Sequence, residues 1–303
     1  MNGTPRIARV FPRRTAATPT DPLAFTGPPP LLTLPEIDEV HISTVYTYDI
    51  QMAEWLALQW EAVGVPVKMG GPAFGDPGGD FVPGRYLRPG FVITSRGCPK
   101  RPPCWFCSVP RREGNMIREL PIRDGHNVLD SNLLACSEEH IRAVFDMLKR
   151  QPERPLFTGG LEAARLRDWH VGLLREVKTR RLYCAYDTPD DLEPLAAAGK
   201  LLRRGGIPKA SHRAACYVLI GYPDDTMTAA EKRLRITWKL GFVPFAMLYR
   251  DDAGTVNREW LRFQSEWVRP QNVLRQLQPA RTTKGQNLDQ NKLGTPRSTW
   301  LPM

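Results

Sequence analysis

The chain has 303 residues, 42% hydrophobic and 24% charged, and a formal net charge of +10. That length makes one large domain or two modest ones, and the composition allows a sizeable buried core. No apolar run approaches the roughly 20 residues that cross a bilayer, so a helical membrane protein is excluded and a membrane partner is not expected. No apolar h-region marks a signal peptide, and the Pro residues scattered through the Arg-rich start spoil the amphipathic helix of a transit peptide. The expected location is cytoplasmic. The basic excess invites a polyanionic partner, but Arg pairs at 13–14, 111–112, 180–181 and 203–204 spread it along the chain. A solvated basic surface has the same appearance.

Residues 1–37 are rich in Pro, Thr and Arg and read as a disordered arm. A small β-α-β segment with a linker follows over 38–89. Residues 40–46 are β-branched and aromatic, 49–63 have helical spacing, and 65–69 are apolar again before Gly70 and Gly71. The linker occupies the Gly- and Pro-rich stretch 72–89.

From 90 to 250 short apolar strands alternate with helices. The strands are expected at 91–95, 127–129, 155–158, 181–187, 215–221 and 243–249, and the main helices at 137–149, 163–178, 189–204 and 229–240. This alternation predicts an α/β fold with a parallel sheet, either a partial TIM-like barrel of six βα units or an open doubly wound sheet. In both, the ligand site lies beyond the carboxyl ends of the strands. After 250 the pattern predicts one amphipathic helix at 257–268 and a disordered basic tail over 280–303.

Six cysteines are unevenly placed. Cys98, Cys104 and Cys107 share one loop directly after the first strand, whereas Cys136, Cys184 and Cys216 are scattered and read as core residues. Three thiolates on one loop can hold three irons of a cubane cluster and leave the fourth iron open. A structural zinc usually takes four ligands, and only Cys104 and Cys107 form a C-x2-C knuckle; Cys98 with His126 or Cys136 would complete such a site. Unliganded thiols are the third possibility. The His residues show no ligand spacing that would support a metallohydrolase.

The segment Thr94-Ser95-Arg96-Gly97-Cys98 through Cys107-Ser108-Val109-Pro110, with Arg112-Glu113-Gly114 after it, resembles the cluster loop of radical S-adenosylmethionine (SAM) enzymes. It looks most like the branch related to cobalamin-binding-domain proteins and methylthiotransferases. Phe106 fills the aromatic place before the third Cys. Five residues, rather than the common three, separate the first two cysteines. The resemblance covers about 90–250 and implies a partial (βα)6 barrel of the radical SAM type. It also implies that Cys98, Cys104 and Cys107 ligate a 4Fe-4S cluster whose open iron chelates SAM. An external flavodoxin- or ferredoxin-like donor would reduce the cluster, and SAM would yield a 5′-deoxyadenosyl radical acting on a substrate the sequence does not name.

Two segments compete for the SAM ammonium in that resemblance. Asp130 and Asn132 follow the second strand, while Gly159, Gly160 and Glu162 follow the third and look more like the family's Gly-Gly-Glu letters. Strand order favours Asp130 for the ammonium and the glycine pair for a close backbone approach. Asp187, after the fourth strand, would face the ribose or cap the next helix. Gly221, after the fifth, would approach the adenine, with Asp224 or Asp225 as a helix cap. Phe245, Met247 and Tyr249 alternate along the sixth strand, lining a chamber or simply packing.

Residues 38–75 resemble a fragment of a cobalamin-binding Rossmann-like domain without its Asp-x-His-x-x-Gly loop, which implies a degenerate remnant that binds no cobalamin. The basic charge points to RNA or another phosphorylated molecule as substrate. Two other readings stand beside the enzyme: a zinc-stabilised nucleic-acid-binding protein built on the same cysteines, and a family member without turnover retained as a binding partner.

Overall fold

The computed structural model describes residues 4–75 and 79–277. Two parallel sheets organise it. The first joins Ile7–Phe11 (β1), Ala24–Thr26 (β2), Glu39–Ser43 (β3) and Val67–Gly70 (β4) in the order β2-β1-β3-β4. β3, the helix Ile50–Glu61 (α1) and β4 form the expected β-α-β unit. β1 and β2 correct the expectation of a disordered arm: β1 lies inside the sheet, with Arg9 in register with both Ala24 and His41. The cause is local. β1 alternates so that Ala8 and Val10 meet Val40, Ile42, Leu56 and Trp60 in a small core, while the Pro residues fall in the connections. Complete burial of Ile42, Leu56 and Trp60 contributes about 2 kcal/mol apiece, enough to order short strands. The expected remnant is thus a four-stranded unit. The stretch expected as a linker wraps it, with Phe81 and Tyr86 packed on His41.

The second sheet joins Phe91–Val92 (β5), Asn127–Val128 (β8), Leu156–Phe157 (β9), Arg181–Ala185 (β10), Ala214–Ile220 (β11) and Val243–Leu248 (β12). Between β5 and β8, Ser95–Arg96 (β6) and Arg118–Glu119 (β7) make a separate antiparallel ladder around the turn Val109–Arg112 (α2). The six main strands are parallel and pair in strict chain order. That order has no reversal, so the sheet is not doubly wound and has no switch point. Its carboxyl ends form one continuous edge.

The connections carry Glu138–Lys149 (α3), Asp168–Glu176 (α4), Leu192–Arg204 (α5) and Met227–Leu240 (α6). Same-handed crossovers between consecutive parallel strands place such helices on one face. Their apolar stripes, including Val144, Leu174, Leu195 and Leu234, share one core with Val128, Phe157, Leu182 and Val218. Ser137 caps α3 through the His140 N–H, and Thr226 caps α6 through the Ala229 N–H. The expected helix cap at Asp224 or Asp225 is therefore corrected to Thr226. Asn257 caps Arg258–Val268 (α7), and Pro270–Leu277 (α8) follows. The tail expected over 280–303 lies outside the described residues. Among those residues no helix is long and apolar enough to cross a membrane.

Candidate functional site

The cysteine loop begins at a pinched neck. Ser95 and Arg96 pair with Glu119 and Arg118, and the Cys98 N–H donates to Gly114 O at 3.3 Å. Gly97 has φ +89°, and a Cβ there would run into the Met116 carbonyl, so only glycine fits. From this neck the loop reaches across the sheet. Lys100 Nζ stands 2.7 Å from Asp191, which follows β10. The Trp105 ring lies 5.7 Å from both Tyr222, after β11, and Tyr249, after β12. The loop from the first strand therefore overlies the carboxyl ends of the fourth, fifth and sixth.

Cys98, Cys104 and Cys107 are half-buried free thiols on that loop. Burial raises the Cys104 and Cys107 thiols above the ordinary range; charge on Cys107 raises Cys104 further, and Cys98 does the same to Cys107. The three are electrostatic neighbours, and a bound cationic centre would release their protons. Among the described residues no three His, Cys, Asp or Glu side chains converge as ligands of a single ion. A cubane makes a different demand, one thiolate for each of three irons. His126, weighed as a zinc ligand, sits at the opposite strand end, where a Cβ on Gly90 would meet its ring. It cannot join the cysteines.

The residues after β8 divide into two roles. Asp130 is 1% exposed, and its carboxylate accepts from the Thr94 N–H at 2.6 Å, Thr94 Oγ1 at 2.5 Å and Ser95 Oγ at 2.9 Å. Its carboxylate is thus engaged in anchoring the start of the cysteine loop. Asn132 is also buried, but its Nδ2 donates to Glu162 Oε2 at 2.7 Å and lies 3.4 Å from Cys98 Sγ. Its Oδ1 has no partner, an orphaned acceptor beside the first cysteine. Glu162 also pairs with Arg165 at 2.5 Å. Asn132, Glu162 and Cys98 thus form one polar group from three strand ends.

The glycines serve the scaffold. A Cβ on Gly159 would strike the backbone of Leu129 and Asp130, so its close approach is to the neighbouring strand end. Gly160, at φ +95°, makes the turn that brings Leu161 N–H to Tyr183 O. Gly221, at φ +70°, lies under Trp260 of α7. Asp187 does not cap a helix; that role belongs to Thr188 and Asp191. Its Oδ1 accepts from the Leu219 N–H at 2.9 Å, and burial, reinforced by Asp191, pushes its carboxyl up to about 7. Phe106 packs edge-on against Trp105 at 5.4 Å.

Below the loop, the face of the second sheet that bears no helices opens into a cavity of about 660 Å³. Thr158, Tyr217, Phe245 and Met247 line it from the sheet, and Arg13, Tyr46 and Tyr86 from the first unit. Phe245 and Met247 thus face the chamber. Two charged pairs border it: Arg13 with buried Asp49, and Arg96 with Glu113 at 3.6 Å. Ser131 Oγ donates to Glu113 at 2.6 Å, linking this wall to the residue before Asn132.

Sequence reasoning missed Lys100, Arg13, Asp49 and the anchoring role of Asp130. Each acts through a partner at least 35 residues away, and local spacing carries no trace of such pairings. A scan against family models finds no match for the chain, and a search of curated proteins finds none.

Proposed function

We propose that the chain is a radical SAM enzyme whose second sheet is a partial (βα)6 barrel, acting on a small molecule in the cavity between the two sheets. The observation that carries this reading is the position of three half-buried thiols over the carboxyl edge of an in-order parallel sheet, beside the orphaned Asn132 acceptor. Strict strand order and an inner face free of helices support the barrel. Cys98, Cys104 and Cys107 would hold a 4Fe-4S cluster. Glu162 and Asn132 suit a ligand ammonium, supplying a carboxylate and a free amide oxygen. When bound, cluster and SAM supply an electron-driven cleavage that yields a 5′-deoxyadenosyl radical.

The chain's own residues do the positioning. Lys100 and Asp191 hold the loop down, Asp130 fixes its root, and the aromatic walls of the cavity keep bulk water from a reactive centre. A cavity of about 660 Å³ matches a small-molecule ligand, which favours a metabolite-sized substrate over RNA at this site.

Anaerobic reconstitution with iron and sulfide tests the reading, with Cys104→Ala as control. A brown protein whose reduced EPR signal changes on adding SAM, with the signal lost in the variant, supports it. A colourless protein carrying one zinc sinks it and favours the zinc-stabilised alternative.

A further inference from the structure

The positive charge that looks dispersed in the sequence is sorted by the fold. All six strands of the second sheet run the same way, so segments preceding a strand lie at one edge and segments following a strand at the other. The segments 149–154 and 200–213 precede β9 and β11, and 175–181 runs up to and includes Arg181, the first residue of β10. Together they hold twelve Lys or Arg and two Glu, an excess equal to the net +10 of the entire chain. The segments after strands, 97–123, 129–136, 158–167, 186–191, 221–226 and 249–257, hold nine Lys or Arg against eleven Asp or Glu. The edge bearing the candidate site is therefore near neutral, and the opposite edge is strongly basic.

The three basic segments touch one another. Arg154 Nε donates to Lys178 O at 2.8 Å, Arg180 N–H to Pro155 O at 2.8 Å, and Leu182 N–H to Arg213 O at 3.0 Å. A Cβ on Gly206 would lie 3.5 Å from Arg175 Cδ. Helix ends explain only part of the charge. Lys149, Arg175, Arg203 and Arg204 occupy last turns, and each helix terminus offers about half a negative charge. Nearby Asp146 and Asp168, paired with Lys149 and Arg204, raise the acids to four against twelve. Eight of the twelve are Arg, whose planar fork suits phosphate oxygens. At the rim, half-buried Trp238 carries Lys209 Nζ over its ring at 4.3 Å and has His212 at 5.7 Å, a surface on which a base can stack.

We propose that this edge is a binding surface for single-stranded RNA, separate from the cavity and about 20 Å from the cysteine loop along the strands. It binds the phosphate backbone without regard to the cluster, so the inference is independent of the enzymatic reading.

The test uses the full chain and a fluorescein-labelled single-stranded RNA of about 20 nucleotides, followed by anisotropy from about 50 to 200 mM salt. The triple variant Arg175→Gln, Arg180→Gln, Lys200→Gln alters exposed cations for which no side-chain hydrogen bond is seen among the described residues. The expected result is at least a tenfold loss of affinity and a log–log salt slope shallower by about 2, or about 0.7 for each cation removed. If the triple variant melts early, the single variants Arg180→Gln and Lys200→Gln should each flatten the slope by about 0.7. Absence of binding by the natural chain at low salt, or an unchanged slope in the variants, overturns the proposal. Equal competition by polyglutamate at matched charge also overturns it and assigns the surface to an acidic polypeptide.

Discussion

Lys100 and Asp191 are 91 residues apart in sequence and 2.7 Å apart in space. One lies inside the cysteine loop and the other opens the α5 crossover, so their ion pair decides where the loop sits. Burial opposes the Lys100 charge, but Asp191 and Cys104 outweigh it and hold the ammonium above its ordinary range. Burial likewise raises Asp191, yet Lys100 and the Thr188 N–H bring it below the usual carboxylate value. The Asp191 contribution is complete above its unfolded value of about 4 and fades as pH falls through the depressed folded value. The Lys100 contribution fades only as pH rises above about 10.5.

Lys100→Met should therefore cost about 1–2 kcal/mol, because Asp191 loses its cation while partly buried. Urea unfolding reads the cost, and chymotrypsin cleavage after the exposed Trp105 reads the loop. Cleavage at the natural rate would show that the loop is held elsewhere.

Gly97→Ala and Gly114→Ala form a matched pair. Both glycines have positive φ, +89° and +98°, but only a Cβ at 97 meets backbone, while nothing lies within 4 Å of one at 114. Gly114→Ala should cost only the conformational strain, about 1–2 kcal/mol. Gly97→Ala should open the neck and lower iron retained after reconstitution by more than half. Equal iron in both variants would contradict the close contact with Met116.

Asp130 and Glu162 should separate stability from ligand binding. Asp130→Ala leaves the Thr94 N–H and two hydroxyls without their acceptor, a loss of about 3 kcal/mol. Glu162→Gln keeps the fold but removes the negative charge beside Asn132, and should weaken SAM binding at least tenfold by calorimetry. A folded Asp130→Asn protein with lost SAM affinity and a Glu162→Gln protein with normal affinity would reverse the assignment.

The repeated βα rhythm was legible because each strand and helix carries its own period. Ser137, for example, announces α3 through a local cap. The cysteine loop was legible for the same reason, since its spacing is short-range. β1 was not, because five residues flanked by Pro become a strand only against Val40 and Ile42. The anchoring role of Asp130 was not legible either, because strand order gives its position but not the direction of its carboxylate, which Thr94 and Ser95 decide. The charge at the far edge is in the sequence, but only the parallel topology collects it.

Asp187 gives the fold a measurable pH dependence. Its carboxyl is pushed up to about 7, chiefly by burial and further by Asp191, against the opposing Leu219 N–H. The unfolded value is about 4. A raised acid stabilises the folded state fully below its unfolded pKa, and that contribution disappears as pH rises through the folded value. The window is therefore about pH 4 to 7, and the full span is worth about 4 kcal/mol. Asp187→Asn keeps an oxygen for the Leu219 N–H but does not titrate. Unfolding both proteins at pH 4.5 and 7.5 should show the natural chain losing about 3 kcal/mol relative to the variant across that interval. Parallel stability curves would mean that Asp187 is ionised throughout and that its carboxylate is stabilised by a contact stronger than the Leu219 N–H.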